Sequence, residues 1–323
     1  MASVLEKNSL PFEAIVTPPA VPPARGGRLV ADASLLLTAV IWGINIPVVK
    51  YATREIEPLV FNASRMVLST IVLALMALVE SRWLEQPAAR FSKSRFIMFA
   101  LISGLWYPLL FMIGIDYTTA GNTALLLSSM PLWTAVISAV FIRERLPRLS
   151  WLAMMIAFLG TGVVVVAGGK VSLSAENFLG NMLILLSAML WASGTVISVP
   201  LLKQMTPLRL AFMSSLLTMP MHILLVSTSL PAELPKMLLP HNLLALVYSG
   251  VFSTGIAYAT WHIGVRRLGG SHASIYQNVV TFVAVLGGWM MLSEALLASQ
   301  LLGGLLMIIG LLVIRQTRMQ TGR

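Results

Sequence analysis

The sequence predicts an all-α polytopic membrane protein of ten transmembrane helices, arranged as two inverted five-helix repeats. Three observations predict it. The first is composition: of 323 residues, 57% are hydrophobic and 11% charged, against about 45–50% and about 25% in soluble domains. Apolar runs also reach the ~18 residues or more that cross a bilayer. The second is the placement of Lys and Arg along the chain. The third is an internal repeat with a displacement close to 150 residues, long enough to make each half a bundle of its own.

Residues 1–29 stand apart. The stretch "TPPAVPPARGG" is rich in Pro and has no helical periodicity, so it reads as a disordered cytoplasmic tail. It lacks the basic end and apolar run of a cleavable signal. The ten spans follow at about 31–52, 58–80, 95–117, 119–142, 149–168, 177–200, 206–228, 241–264, 271–292 and 298–315. Most connections are short, which makes consecutive spans antiparallel neighbours. The first five-helix repeat is residues 30–168, the second is 177–315, and 316–323 form a second cytoplasmic tail.

With the N-terminus in the cytoplasm, seventeen of the 22 Lys and Arg fall in inner segments and four (Lys50, Arg54, Lys170, Lys236) in outer ones. Arg65 lies inside a span. Basic residues collect in cytoplasmic loops, so both termini are expected there. The same rule accounts for the net charge of +10 without nucleic acid. The absence of Cys excludes disulfides, thiolate metal sites and Cys nucleophiles.

Displaced by 150, Gly114 falls on Gly264, Glu144 on Glu294 and Gly160 on Gly310; displaced by 149, Trp42 falls on Trp191 and Pro58 on Pro207. Five crossings per half is an odd number, so the halves are expected to lie in opposite orientations. Such repeats recur in secondary transporters, with the substrate near the midplane between them. Two similar halves, oppositely oriented, can trade shapes, so an inward-open state has a near-equivalent outward-open one.

The stretches "AVIWGINIPVVKYA", "PLVFNASRMVLS" and "ALLLSSMPLWTAVISAVFIRERLPRLSWLAMMIAFLGTGVVVV" resemble the drug/metabolite transporter superfamily, specifically its EamA-type ten-helix members. The resemblance covers roughly residues 31 to 315. In the second half Thr281 stands where the first half has Pro131, and "SEALL" replaces "RERLP". The resemblance implies export or exchange of small metabolites, amino acids or drugs across a cell inner membrane. It implies no catalytic residues, because members are not enzymes.

The segment "SHASIYQNVVTF" (271–282) is polar between apolar runs. At 100° per residue, Ser274, Gln277, Asn278 and Thr281 share one helical stripe. Thr281 would lie roughly 15 Å into a core roughly 30 Å thick. Polar groups at that depth face protein or water, so the stripe reads either as interhelical hydrogen bonding or as the wall of a substrate cavity, with the cavity preferred. The equivalent first-half stripe, Ala124, Leu127, Ser128 and Pro131, is less polar, and of it Ser128 is the candidate. Further candidates at mid-span are Trp42, Asn45, Trp106, Tyr107, Trp191, Tyr258 and Trp261. For these, core packing and cavity lining weigh equally.

Arg65 is read as a snorkelling or structural residue. His262 and His272 are read as hydrogen-bonded helix contacts before proton relays. Glu144 and Glu294 are read as caps for the helices that follow them. Small residues at Ala153, Ala157, Gly160, Gly303 and Gly310 suggest close helix packing or a homodimer seam through the fifth and tenth spans.

No Asp or Glu lies mid-span, which argues against a carrier of organic cations. A sugar-phosphate carrier would place paired cations there. The aromatic, amide and hydroxyl lining suits a neutral or zwitterionic metabolite such as an amino acid, with no cofactor and no metal. A membrane-embedded enzyme is the competing class, and the sequence offers no cluster of acids, bases or metal ligands for one.

Overall fold

A computed structural model of the chain describes residues 25–83, 91–141 and 175–294, with scattered positions of 149–159 and 298–313. Every regular element among the described residues is a helix. They are α1 (Arg25–Ala52), α2 (Pro58–Trp83), α3 (Lys93–Asp116), α4 (Ala120–Phe141), α5 (Ala175–Leu201), α6 (Pro207–Leu225), a short α7 (Leu230–Met237), α8 (Pro240–Leu268) and α9 (Gln277–Leu292). Seven of them are long and apolar enough to cross a bilayer, and α9 is a shorter apolar helix. The chain is an integral, multi-span helical membrane protein. The predicted spans 149–168 and 298–315 lie outside the described residues except at those scattered positions. Glu144, the five small residues of the suggested homodimer seam and the His272 side chain lie outside them altogether.

Local chemistry sets the helix starts. Pro58, Pro207 and Pro240 open α2, α6 and α8, where a missing N–H costs nothing. Thr206 accepts from Arg209 N at 3.2 Å, and Thr119 accepts from Asn122 N at 3.1 Å, so a hydroxyl caps each of those helices. α4 has a turn at Ser128–Ser129. Pro131 has no N–H for the Leu127 carbonyl, and the Ser128 and Ser129 hydroxyls bond back to the Leu125 and Leu126 carbonyls, each at 2.6 Å.

Packing maps onto itself when each helix is exchanged for its repeat counterpart. α1 lies against α9 and α8, and α5 lies against α4 and α3; α2 meets the middle of α8 as α6 meets the middle of α3; α2 and α6 meet each other. Two glycines show the same correspondence at atomic scale. A Cβ on Gly264 would stand 2.4 Å from Leu35, and one on Gly114 would stand 2.9 Å from Ile184. Leu35 and Ile184 are themselves 149 residues apart.

α3 and α8 each carry a π-helical segment at mid-length, Ala100–Trp106 and Tyr248–Ile256. Such segments are rare and are often found at functional sites. Each presents a carbonyl to a neighbouring helix. His222 Nε2 donates to Gly104 O at 2.8 Å, and Trp42 Nε1 donates to Ser253 O at 2.9 Å. In α3 the reason is legible: the residue four beyond Gly104 is Pro108, which has no N–H to give.

The predicted ninth span is not one continuous helix. An α turn (Gly270–Ala273) and a 3-10 turn (Ser274–Tyr276) precede α9. A 3-10 turn winds about 3.0 residues per turn, so the 100° spacing used for the polar stripe fails across Ser274 to Gln277.

Candidate functional site

The middle of the bundle encloses a cavity of about 90 Å³, by the measure in which one water needs roughly 10–15 Å³. Both halves supply its wall. Trp42 and Asn45 come from α1, Arg65 and Ser69 from α2, Ser103 and Tyr107 from α3. The second half supplies Trp191 of α5, Ser214 and Thr218 of α6, Ser253 and Tyr258 of α8, and Gln277 of α9.

Aromatic rings form one continuous side. Trp42 and Trp191 meet edge to face with centroids 5.1 Å apart; Tyr107 lies 4.8 Å and Tyr258 6.0 Å from Trp191. Such contacts stabilise by about 0.5–1.5 kcal/mol each beyond their burial. The wall also contains buried atoms with no hydrogen-bond partner among the described residues, Asn45 Oδ1, Trp191 Nε1 and Gln277 Nε2 among them. Buried polar groups are ordinarily paired, so these three mark surface made to meet something other than protein.

Of the predicted candidates, Trp42, Asn45, Tyr107, Trp191, Tyr258 and Gln277 are at this wall. Six are not. Trp106 is a correction: it is 53% exposed on the outer surface of the bundle, because adjacent residues lie about 100° apart on a helix and Tyr107 takes the inward direction. Trp261 is 1% exposed and stacks behind the wall, 5.3 Å from Trp42 and 5.8 Å from Trp191. Ser128 bonds its own helix. Thr281 donates to Ala124 O and Gln277 O, both at 3.1 Å, which is helix-to-helix bonding. Ser274 is buried off the wall, and the buried Asn278 Oδ1 is off it too.

Of the two readings of Arg65, snorkelling and a structural hydrogen-bonding role, the structure has the second: the residue is 5% exposed, hydrogen-bonded within the bundle, and lines the cavity. Its Nε donates to Asn62 Oδ1 at 3.0 Å, an Nη donates to Ser249 Oγ at 3.4 Å, and the guanidinium lies 5.8 Å from the Phe111 ring. Asn62 is held in turn by His222 at 3.0 Å. The Gly104 carbonyl can only accept, so His222 Nε2 carries the hydrogen and Nδ1 accepts from the Asn62 amide. A chain of bonds therefore runs from the π segment of α3 to the fork of Arg65. His222 and Ser214 escaped sequence reasoning; the signal available was that Ser214 is the repeat partner of Arg65.

Glu294 has a role the sequence did not suggest. Its carboxylate accepts from Ala120 N and Gly121 N, each at 2.9 Å, so it caps α4 from the other half; the start of the helix expected to follow it lies outside the described residues. His262 is 1% exposed, with both ring nitrogens unpartnered, packed at 5.6 Å from Phe99 and 4.7 Å from Tyr258; the expected hydrogen-bonded contact is absent among the described residues. No group of three or more His, Cys, Asp or Glu there could hold a metal.

Known proteins resemble this chain. A protein of Archaeoglobus fulgidus named an uncharacterized transporter is 27% identical over 292 residues, 88% of this chain and 98% of its own. A protein of Streptantibioticus cattleyicolor named a probable terminal-alkyne amino-acid exporter is 25% identical over 292 residues, 88% of this chain and 92% of its own. A crystal structure superposes with a TM-score of 0.62 at 20% identity, covering 89% of this chain and 95% of its own, a likeness of fold. The profile of the EamA-like transporter family matches twice, over residues 29–166 and 178–316. A pair of matched segments around a cavity that both of them line leaves one assignment: the chain belongs to the EamA-like transporter family.

Proposed function

We propose that the protein is a secondary transporter that exports a small neutral or zwitterionic metabolite, an amino acid or close relative, across a cell inner membrane. Both termini lie in the cytoplasm, and ten spans form two inverted five-helix repeats. The observation that carries this reading is the cavity, walled by both halves and lined by aromatic rings together with unpartnered amide and indole groups. The exchangeable packing of the two halves supports alternating access, since each interhelical seam has a counterpart to exchange with. The amino-acid assignment is supported by the absence of Asp and Glu among the described residues of the cavity wall and by the name of the Streptantibioticus relative.

The test is counterflow in proteoliposomes preloaded with single unlabelled amino acids. Labelled amino acid is expected to accumulate, faster for apolar side chains than for acidic or basic ones. Movement of organic cations with no movement of any amino acid would overturn the substrate class. Cysteine labelling at residues 5 and 320 tests the topology; labelling from opposite faces would overturn the ten-span count.

A further inference from the structure

Among the described residues that line the cavity, Arg65 is the charged side chain and none is Asp or Glu. The described ion pairs, Lys236 with Glu233 and His241 with Glu55, involve other residues. Its two hydrogen bonds reach neutral partners, Asn62 and Ser249, and use two of the five N–H donors of a guanidinium. Arginine stays charged even when buried, and a buried cation without an anion is costly. A mobile anion that enters the cavity relieves that cost when it binds.

The chemistry of the anion follows from the count of charges. A phosphate near pH 7 carries more than one negative charge and would leave part of it uncompensated beside a single cation. A carboxylate carries one, and its two oxygens match the guanidinium fork. The rest of the wall suits the other end of a zwitterion. Asn45 Oδ1 is a buried acceptor without a partner, and the Trp42 and Trp191 rings beside it offer aromatic faces to an ammonium. Trp191 Nε1 and Gln277 Nε2 are donors without partners.

We propose that Arg65 binds the carboxylate of the transported α-amino acid, with Asn45 and the Trp42–Trp191 pair receiving its ammonium group. This rests on the transporter reading above and adds the residue that selects the acid. Asn62 and His222 are positioning residues. They tie Nε of Arg65 to the Gly104 carbonyl and so aim its remaining donors at the cavity.

The experiment measures binding to the full-length protein in nanodiscs for four matched series: L-leucine, L-phenylalanine, L-methionine and L-valine, each with its carboxamide, its methyl ester and its decarboxylated amine. At least one free acid is expected to bind roughly tenfold to hundredfold more tightly than its amide, the range for a charge-assisted contact, and its amine to bind no better than the amide. Arg65→Gln is expected to erase the acid-over-amide preference, Arg65→Lys to keep part of it, and Asn62→Ala to reduce it. The wild-type comparison decides even if Arg65→Gln fails to fold. Equal binding of acid and amide, or a preference that survives Arg65→Gln, overturns the role of Arg65 while amino-acid counterflow stands. Binding by amines and by no acid overturns both the role and the substrate class, as does an absence of binding by every acid of the set.

Discussion

Trp42 and Trp191 occupy corresponding places in the two halves, 149 residues apart, and their rings touch at 5.1 Å. They do different work. The Trp42 N–H is bound to the Ser253 carbonyl in the π segment of α8, whereas the Trp191 N–H has no partner and borders the cavity. The same division separates Arg65 from its counterpart Ser214, and Pro131 from Thr281. Packing is held in common by the halves while polar chemistry is not. Physics favours that division at Arg65: α2 packs on α6, and a second guanidinium at position 214 would set two like charges close together in a low dielectric. A substrate with one carboxylate and one ammonium end has no two-fold symmetry to match, so an asymmetric wall around a symmetric scaffold serves it better.

Breaking the shared scaffold should produce the largest effects. Gly264→Ala and Gly114→Ala each force a Cβ into a neighbouring helix, against Leu35 and Ile184. Each is expected to lower stability by about 1–3 kcal/mol, the cost of overpacking, with Gly264→Ala the larger because its Cβ comes nearer. Thermal denaturation of the purified variants checks this, and an effect at one seam alone would break the correspondence. The tryptophan pair sharpens the contrast. Trp42→Phe strands the Ser253 carbonyl and should cost about 1–3 kcal/mol of stability. Trp191→Phe also loses buried ring area but strands no protein acceptor, so it should cost less stability than Trp42→Phe by about the worth of one hydrogen bond, while weakening amino-acid binding several-fold. Melting curves and binding isotherms on both variants separate the two roles.

How much of this was legible in the sequence depends on what set each feature. The apolar spans and the paired positions 42 and 191, or 114 and 264, follow from composition and spacing, because a bilayer imposes length and a repeat imposes register. Gln277 was found through depth and polarity alone. Trp106 was misplaced because mid-span depth says nothing about which way a residue faces, and the neighbouring Tyr107 decided that. Grouping Ser274 with Gln277 assumes a continuous α-helix, which the 3-10 turn at Ser274–Tyr276 interrupts; Thr281 keeps the α-helical spacing from Gln277 but bonds the Ala124 carbonyl of the neighbouring helix. The π segments and the Arg65–Asn62–His222–Gly104 chain depend on contacts between residues up to 211 positions apart, for which a single sequence carries no periodic signal. α7, eight residues in a connection, is too short to register as an apolar period.

Smaller effects are expected at the end of the bundle where α1 finishes, where charged side chains meet helix ends. Glu294 receives two backbone N–H groups at the start of α4, and Lys50 Nζ donates to the Ile115 and Asp116 carbonyls, both at 2.8 Å, at the end of α3. Each charge complements the helix end it meets. Glu294→Gln keeps an acceptor but loses the charge, so about 0.3–1 kcal/mol of stability should go, visible as a modest fall in melting temperature.

The smallest effect belongs to Glu55. Its carboxylate accepts from His241 at 3.0 Å and from the Asn242 amide at 2.8 Å, linking the α1–α2 turn to the start of α8. Hydrogen bonding from His241, then from Asn242, holds its pKa below the usual value. A carboxyl lowered in the folded state stabilises that state above its unfolded pKa and stops doing so as pH falls through the lowered one. Melting temperature should therefore drop on acidification below about pH 4.3, the ordinary Glu value, and part of that drop should be missing in Glu55→Gln. His241→Ala should remove a similar part, because it deletes the first of the two donors. The site is exposed and screened, so the difference should shrink as salt rises from ~0.01 M to ~1 M. An acid limb identical in wild type and Glu55→Gln at low salt would mean that the contact joins the two segments without stabilising them.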